Sequence, residues 1–156
     1  MKYGWTYQTP IGAIRLLEED SALSHILFGA GDGLPSGYEA QETDLLREAH
    51  GQLTDYFNGE LTEFTVPLTL RGTDFQTRAW QALMTIPYGE TRSYKQMAEQ
   101  VGNIKATRAV GMANNRNPIP IIIPCHRVVG SNGSLTGYAG GLDIKQFLID
   151  LEKSRG

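Results

Sequence analysis

The chain has a single cysteine, Cys125, among its 156 residues, so no internal disulfide can brace it and nothing points to an oxidising compartment. Histidine is almost as scarce, with only His25, His50 and His126. A closed structural zinc site would have to recruit scattered carboxylates, and neither a metal nor a cofactor is expected. No window approaches the roughly 20 apolar residues of a membrane-crossing helix. The opening MKYGWTYQTPIGAIRLL lacks the apolar core of a signal peptide. The expected setting is the cytoplasm (the nucleus, if the source has one), without membrane contact. Basic charge is also in deficit, at a formal net of −3, which for the chain as a whole argues against a polyanionic partner.

What is present changes that last inference. Residues 1–70 carry three basic and eleven acidic side chains, whereas residues 71–127 carry eight basic and three acidic ones. A basic middle segment behind an acidic N-terminal part is where a polyanion would dock. The same division gives the expected domains: 1–70, a small α+β unit with a structural role, and 71–156, which holds the chemistry.

In the first part, Tyr3–Thr9, Ala13–Glu18 and Leu23–Phe28 alternate or run apolar between turn residues and are predicted strands. Residues 29–37 form a turn-rich loop. Leu45, Leu46, Ala49, Leu53, Tyr56 and Phe57 predict a helix from Glu39 to about Asn58, closed by Asn58-Gly59, and Phe64–Leu68 a short strand. In the second part, Thr73-Asp74 opens a helix with Phe75, Ala79, Trp80, Leu83 and Met84 on one face. Ser93 caps a short helix over Tyr94–Val101, Gly102-Asn103 turns the chain, and a further helix runs from about Ile104 to Asn114. Two short basic helices across a glycine turn fit a helix-turn-helix and equally a plain helical hairpin. Small residues at 106, 109, 111 and 113 surround Arg108. They suit either close helix packing or close approach to a narrow groove of DNA. Ile121–Ile123 is a predicted buried strand. The last helix, Leu142–Lys153, is expected to bury Ile144, Phe147, Leu148 and Leu151.

Cys125 stands directly after that apolar run, next to His126 and Arg127. Only a thiolate is strongly nucleophilic, and an ordinary thiol with pKa about 8.5 is mostly protonated near neutrality. A neighbouring base is therefore needed. Along an extended strand Cys125 and His126 would point to opposite faces. Pro124 is expected to end the strand and permit a turn that lets them cooperate, directly or through water. The imidazole also needs an orienting carboxylate, for which Asp143, Asp150 and Glu152 are candidates.

The run Pro124-Cys125-His126-Arg127-Val128-Val129, preceded by Asn117-Pro118 and followed by Tyr138-Ala139-Gly140-Gly141-Leu142, closely resembles the active-site signature of the O6-alkylguanine-DNA alkyltransferase family. The resemblance continues back through Arg108-Ala109-Val110-Gly111, Ser93-Tyr94 and Pro87-Tyr88-Gly89-Glu90, and covers about residues 73 to 153. It implies a ribonuclease-H-like N-terminal α/β domain packed on a mostly helical C-terminal domain with a helix-turn-helix. It also implies a single-turnover transfer of an alkyl group from O6-alkylguanine in double-stranded DNA to Cys125, and leaves O4-alkylthymine open as a second substrate. On this resemblance His126 is the base, Glu152 orients it, Tyr94 protonates guanine N3, and Asn117 ties the helix-turn-helix to the active-site strand. Arg108 takes the place of the flipped base in the minor groove, with Lys105, Ala106, Ala109, Gly111 and Arg127 also on DNA. Pro120, the Val128 carbonyl, Tyr138 and a backbone N–H near Ala139 line the base pocket. Some members carry serine where this chain has Ala139, but a backbone donor survives that difference. The protein is expected to act as a monomer without a cofactor. Two rivals are a DNA-binding protein that only recognises lesions, which the presence of Cys125 disfavours, and a thiol hydrolase, which leaves the basic helix pair unexplained.

Overall fold

The structure is a computed structural model. It describes residues 1–155, with the backbone alone at Ile104 and Arg155. Contacts group the chain into two compact units, Met1–Leu70 and Arg71–Gly156.

The first unit is a four-stranded sheet with one helix. Strands β1 (Lys2–Thr9), β2 (Gly12–Glu19), β3 (Ala22–Phe28) and β4 (Glu39–Ala40) lie in the order β3-β2-β1-β4, with only β4 parallel to its neighbour. The β2–β3 turn places both Asp20 and Ser21 at positive φ, 51° and 67°. That backbone matches the strand twist of a tight hairpin. Helix α1 (Asp44–Phe57) touches β1, β2 and β3. It buries Leu46, Ala49, Leu53, Tyr56 and Phe57, and the sheet contributes Ile14, Leu16, Leu23 and Ile26 to the same core. Two expectations change here. The helix begins at Asp44 rather than Glu39, because Glu39 and Ala40 pair with Tyr3 and Gly4 and the Thr43 side chain caps Leu46 N–H. The expected strand at 64–68 is reduced to a single bridge between Leu68 and Leu23.

The second unit is mainly helical. Helices α2 (Asp74–Leu83) and α3 (Tyr94–Gln100) each open on a full capping box, Thr73 with Gln76 and Ser93 with Gln96. Each box satisfies two amide donors that a helix start leaves open. Gly102, at φ 94°, turns the chain into a 3-10 turn and then α4 (Thr107–Asn115). The buried Trp80 indole donates to the Ala113 carbonyl at 2.9 Å and fastens α2 to α4. Two residues of β5 (Arg92–Ser93) pair in parallel with β6 (Val128–Val129), and α5 (Leu142–Arg155) ends the unit.

Residues 121–123 do not form the expected strand. Ile121 sits at φ 76°, Ile123 N–H returns to the Ile119 carbonyl at 2.9 Å, and the one bridge joins Pro120 to Ile123. Left-handed backbone at a β-branched residue costs roughly 1–2 kcal/mol, which close burial of all three isoleucines offsets. Helix α5 also turns a different face inward. Lys145, Leu148, Ile149 and Glu152 are buried, whereas Phe147 is 40% exposed. The spacing of 145, 148, 149 and 152 is itself one helical stripe, but two of its four members are charged.

Candidate active site

All nine residues from Ile121 to Val129 are buried. Two asparagines, Asn114 in the last turn of α4 and Asn117 just beyond it, hold this segment. Asn117 Nδ2 donates to the Ile123 carbonyl at 2.8 Å, and its Oδ1 accepts from Ile119 N–H at 2.9 Å. Asn114 Nδ2 donates to the carbonyl of Cys125 itself at 3.2 Å. After Pro124 the chain makes a 3-10 turn over Cys125–Arg127 and then enters β6. The turn, not an interrupted strand, brings thiol, imidazole and guanidinium into successive positions. Because Val129 pairs with Ser93, the residue that caps α3, Tyr94 begins its helix beside this segment.

Of the three candidate carboxylates on α5, Asp143 and Asp150 are exposed and Glu152 is buried. His126 Nε2 lies 2.6 Å from Glu152 Oε2. Arg127 grips the same carboxylate with Nε at 2.8 Å and Nη2 at 3.0 Å, and its Nη1 donates to the Ile86 carbonyl at 2.7 Å. Gly89 N–H adds a fourth donor to Glu152 at 3.2 Å. Burial alone would raise the Glu152 pKa, but the hydrogen bonds from His126 and Arg127 and the Arg127 charge outweigh it and hold the carboxyl at about 2. This geometry corrects the expectation for Arg127. Its guanidinium is buried and committed to Glu152 and a backbone carbonyl, so it cannot reach a DNA phosphate.

With Nε2 donating to Glu152, the Nδ1 atom of His126 carries the lone pair. That atom is fully buried and has no hydrogen-bond partner among the described residues. Burial lowers the His126 pKa against the opposing pull of Glu152, so the resting imidazole is neutral and can accept a proton. Burial likewise pushes the Cys125 thiol up to about 11, although Asn117 and the charge of Lys145 pull it back. At rest the site therefore holds a protonated thiol, a neutral base and an ionised carboxylate.

A second cluster forms around Thr136. Its carbonyl accepts from Tyr94 Oη at 3.1 Å and from Lys145 Nζ at 2.9 Å, while its own hydroxyl donates to Tyr94 Oη at 3.2 Å. Sequence reasoning overlooked Thr136, Lys145 and Asn114; the α5 stripe was the legible signal for Lys145. Pro120 and Val128 are buried near the turn, Tyr138 is half-buried and Ala139 is exposed. On and before α4, Lys105, Arg108 and Ala109 are exposed and Ala106 and Gly111 half-buried. A methyl group on Gly111 would meet nothing nearer than the Tyr94 ring at 3.9 Å, so packing within the protein does not require glycine there. Among the described residues no group of three or more His, Cys, Asp or Glu side chains could hold a metal ion.

Comparison with known proteins places this geometry in context. Residues 74–154 match the family described as 6-O-methylguanine DNA methyltransferase, DNA binding domain. Residues 1–70 match its ribonuclease-like domain. The chain is 52% identical over 151 residues to a methylated-DNA–protein-cysteine methyltransferase of Methanosarcina acetivorans, covering 95% of this chain and 96% of that one. It is 51% identical over 156 residues to the protein of that name from Mycobacterium tuberculosis, covering 96% and 92%. Among solved structures, that of Mycobacterium tuberculosis O6-methylguanine methyltransferase superposes with a TM-score of 0.91 at 48% identity, covering 100% of this chain and 95% of that one. Mycobacterium tuberculosis OGT in complex with DNA also gives 0.91, at 49% identity, covering 99% and 94%.

Proposed function

The chain belongs to the 6-O-methylguanine DNA methyltransferase family, and from that premise we propose that it repairs DNA by direct reversal, moving an alkyl group from the damaged base to Cys125. The observation that carries this reading is a buried thiol one residue from an imidazole whose far nitrogen is locked on Glu152. Enzymatic activity is that of a methylated-DNA–protein-cysteine methyltransferase, with the protein as its own acceptor.

The proposed substrate is O6-alkylguanine in duplex DNA, with O4-alkylthymine as a further one. The α3–α4 pair acts as a helix-turn-helix that enters the minor groove. Lys105, Ala106, Ala109 and Gly111 lie against the backbone, and Arg108 fills the gap left by the extruded nucleotide. The room around Gly111 supports close approach from outside over close packing inside. Cys125 Sγ loses its proton toward His126 Nδ1, through a bridging water, and attacks the alkyl carbon as its bond to O6 breaks. Tyr94 protonates guanine N3, so the base leaves neutral. The Val128 carbonyl and a backbone N–H near Ala139 hold the base edge, between Pro120 and Tyr138. The product thioether has no easy leaving path, and the protein works once, as a monomer, in the cytoplasm or nucleus.

The test is incubation with excess duplex containing O6-methylguanine. Methyl transfer should plateau at one equivalent on the Cys125 peptide. Continued turnover, or no transfer, defeats the proposal.

A further inference from the structure

Tyr94 is hydrogen-bonded from two sides by one residue that the chemistry above leaves unused. Its phenol donates to the Thr136 carbonyl at 3.1 Å, and the Thr136 hydroxyl donates back to Tyr94 Oη at 3.2 Å. Thr136 is held there from several directions. Gly130 N–H returns to the Ser134 carbonyl at 2.8 Å and Gly133 N–H to the Gly130 carbonyl at 2.8 Å, which closes the loop before it. Lys145 Nζ fixes the Thr136 carbonyl from α5 at 2.9 Å. Gly137 follows at φ 51°, packed so closely that a Cβ there would meet Asn115 Oδ1 at 2.9 Å. Tyr94 opens α3 directly after Ser93, which pairs with Val129. Thr136 is exposed and Tyr94 half-buried, which leaves the phenol within reach of an incoming base.

The direction of the two bonds matters. At rest the phenol proton is committed to a carbonyl, which can only accept. A phenol that surrenders this proton leaves a negative oxygen facing one acceptor and one donor. The donor is the Thr136 hydroxyl, and a hydrogen bond to an ionised acceptor is about twice as strong as a neutral one.

We propose that Thr136 is a positioning residue, whose hydroxyl holds Tyr94 at rest and supports its oxygen once the phenol proton has passed to the departing base. This deepens the alkyl-transfer reading above and rests on it. The Sγ proton leaves toward His126, and the S–C bond forms as the C–O6 bond breaks and its electron pair passes to the purine. The purine N3 takes the Tyr94 proton and the base departs neutral, so the charge ends on Tyr94 Oη. For that step the phenol O–H swings from the Thr136 carbonyl to N3, while the Thr136 hydroxyl keeps its place and its bond strengthens. The phenol then regains a proton from solvent. Thr136 acts through Tyr94 and not on the sulfur or the base.

Single-turnover methyl transfer from saturating duplex is compared for the parent, Thr136→Val and Thr136→Ser. Val keeps the shape and the carbonyl but loses the hydroxyl, and Ser restores it. The duplex carries either O6-methylguanine or its 3-deaza analogue, in which a C–H replaces N3 and Tyr94 has nothing to protonate. Val should slow transfer from O6-methylguanine about tenfold, the margin between a charge-assisted and a neutral hydrogen bond, and Ser should recover all but about twofold of it. On the 3-deaza duplex Val and parent should agree within about twofold, as they should when both carry Tyr94→Phe. A purely structural role of the loop would survive both changes. Equal losses on the two duplexes, or a loss that persists with Tyr94→Phe, would overturn the proposal. So would a Ser variant as slow as Val, or a Val variant as fast as the parent. A parent that transfers nothing from O6-methylguanine would instead defeat the alkyl-transfer reading itself, and the proposal with it.

Discussion

Replacing Glu152 by glutamine removes the carboxylate on which His126, Arg127 and Gly89 converge while keeping its shape. The Glu152 carboxyl is only 2% exposed, and its pKa falls from an ordinary 4.5 to about 2. A shift of that size corresponds to roughly 3 kcal/mol of folding stability at neutral pH. The alternative route to the magnitude agrees: stripping one partner from a buried ion pair costs about 3–5 kcal/mol, because the Arg127 charge stays behind unpaired. A glutamine oxygen still accepts one bond, so the lower end, about 3 kcal/mol, is expected. The sign follows from the depressed pKa. The stabilisation is complete above the unfolded value and is lost as pH falls from about 4.5 toward 2. The gap between parent and Glu152→Gln should therefore be widest near neutrality and close through that acid window.

Urea denaturation at a series of pH values reads this directly. The chain has two tryptophans, Trp5 in the first unit and the buried Trp80 in the second. In a Trp5→Phe background the fluorescence of Trp80 reports the unit that contains Glu152. A neutral-pH loss below about 1 kcal/mol would refute the reasoning, since it would mean the His126–Glu152–Arg127 cluster does not hold the site together. A loss that persists unchanged in acid would refute it as well. Methyl transfer by the same variant should fall by at least tenfold, because the amide can no longer stabilise the imidazolium as Sγ gives up its proton.

Three further outcomes are expected. Cys125→Ser should abolish methyl transfer while duplex affinity, measured by fluorescence anisotropy, changes less than about threefold; lost binding would make the thiol structural. Arg108→Ala should slow repair of duplex at least tenfold more than reaction with free O6-methylguanine base if the exposed Arg108 serves extrusion as proposed; equal losses would refute that role. Asn117→Ala should destabilise the second unit by about 2–3 kcal/mol and Asn114→Ala by only about 1, in the same urea assay. The first side chain makes two hydrogen bonds to the active-site loop, whereas the second makes one and keeps a buried, unpaired Oδ1.

The parts of the fold legible in the sequence are those that local chemistry dictates. The capping boxes at Thr73 and Ser93 fix two helix starts, and alternation with turn residues gives the three long strands. Glu152 was legible as one of three carboxylates, and burial distinguishes it. What local pattern misjudged is where the site overrides it. Branched residues at 121–123 predict a strand, but Asn114 of α4 and Asn117 just beyond it hold the segment in a loop with Ile121 left-handed. Hydrophobicity predicts that α5 buries Phe147, but the helix turns to bring Lys145 and Glu152 inward. The resemblance places Arg127 on DNA, and only its tertiary partner, the buried Glu152 carboxylate, shows that its guanidinium is committed within the protein.

Those departures share a physical logic. A protein that consumes its only thiol gains nothing from a thiolate at rest, which any stray electrophile would alkylate. Burial keeps Cys125 protonated, and the same burial keeps His126 neutral with its Nδ1 unengaged. The group that favours ionisation, Glu152 behind the base, is already in place but acts only once a substrate accepts the charge. Reactivity is thereby tied to the arrival of the damaged base, and the strained Ile121 is the structural cost of holding that state. Acid should expose the arrangement's weak point. As pH falls from about 4.5 toward 2 the stabilisation that ionised Glu152 supplies is lost, and as its carboxyl gains a proton near 2 His126 loses its anchor and Arg127 its counter-charge. Transfer should then fail before the first unit, which contains none of these groups, begins to unfold. Parallel pH titrations of transfer and of Trp5 fluorescence in a Trp80→Phe background test this ordering, and coincident midpoints would contradict it.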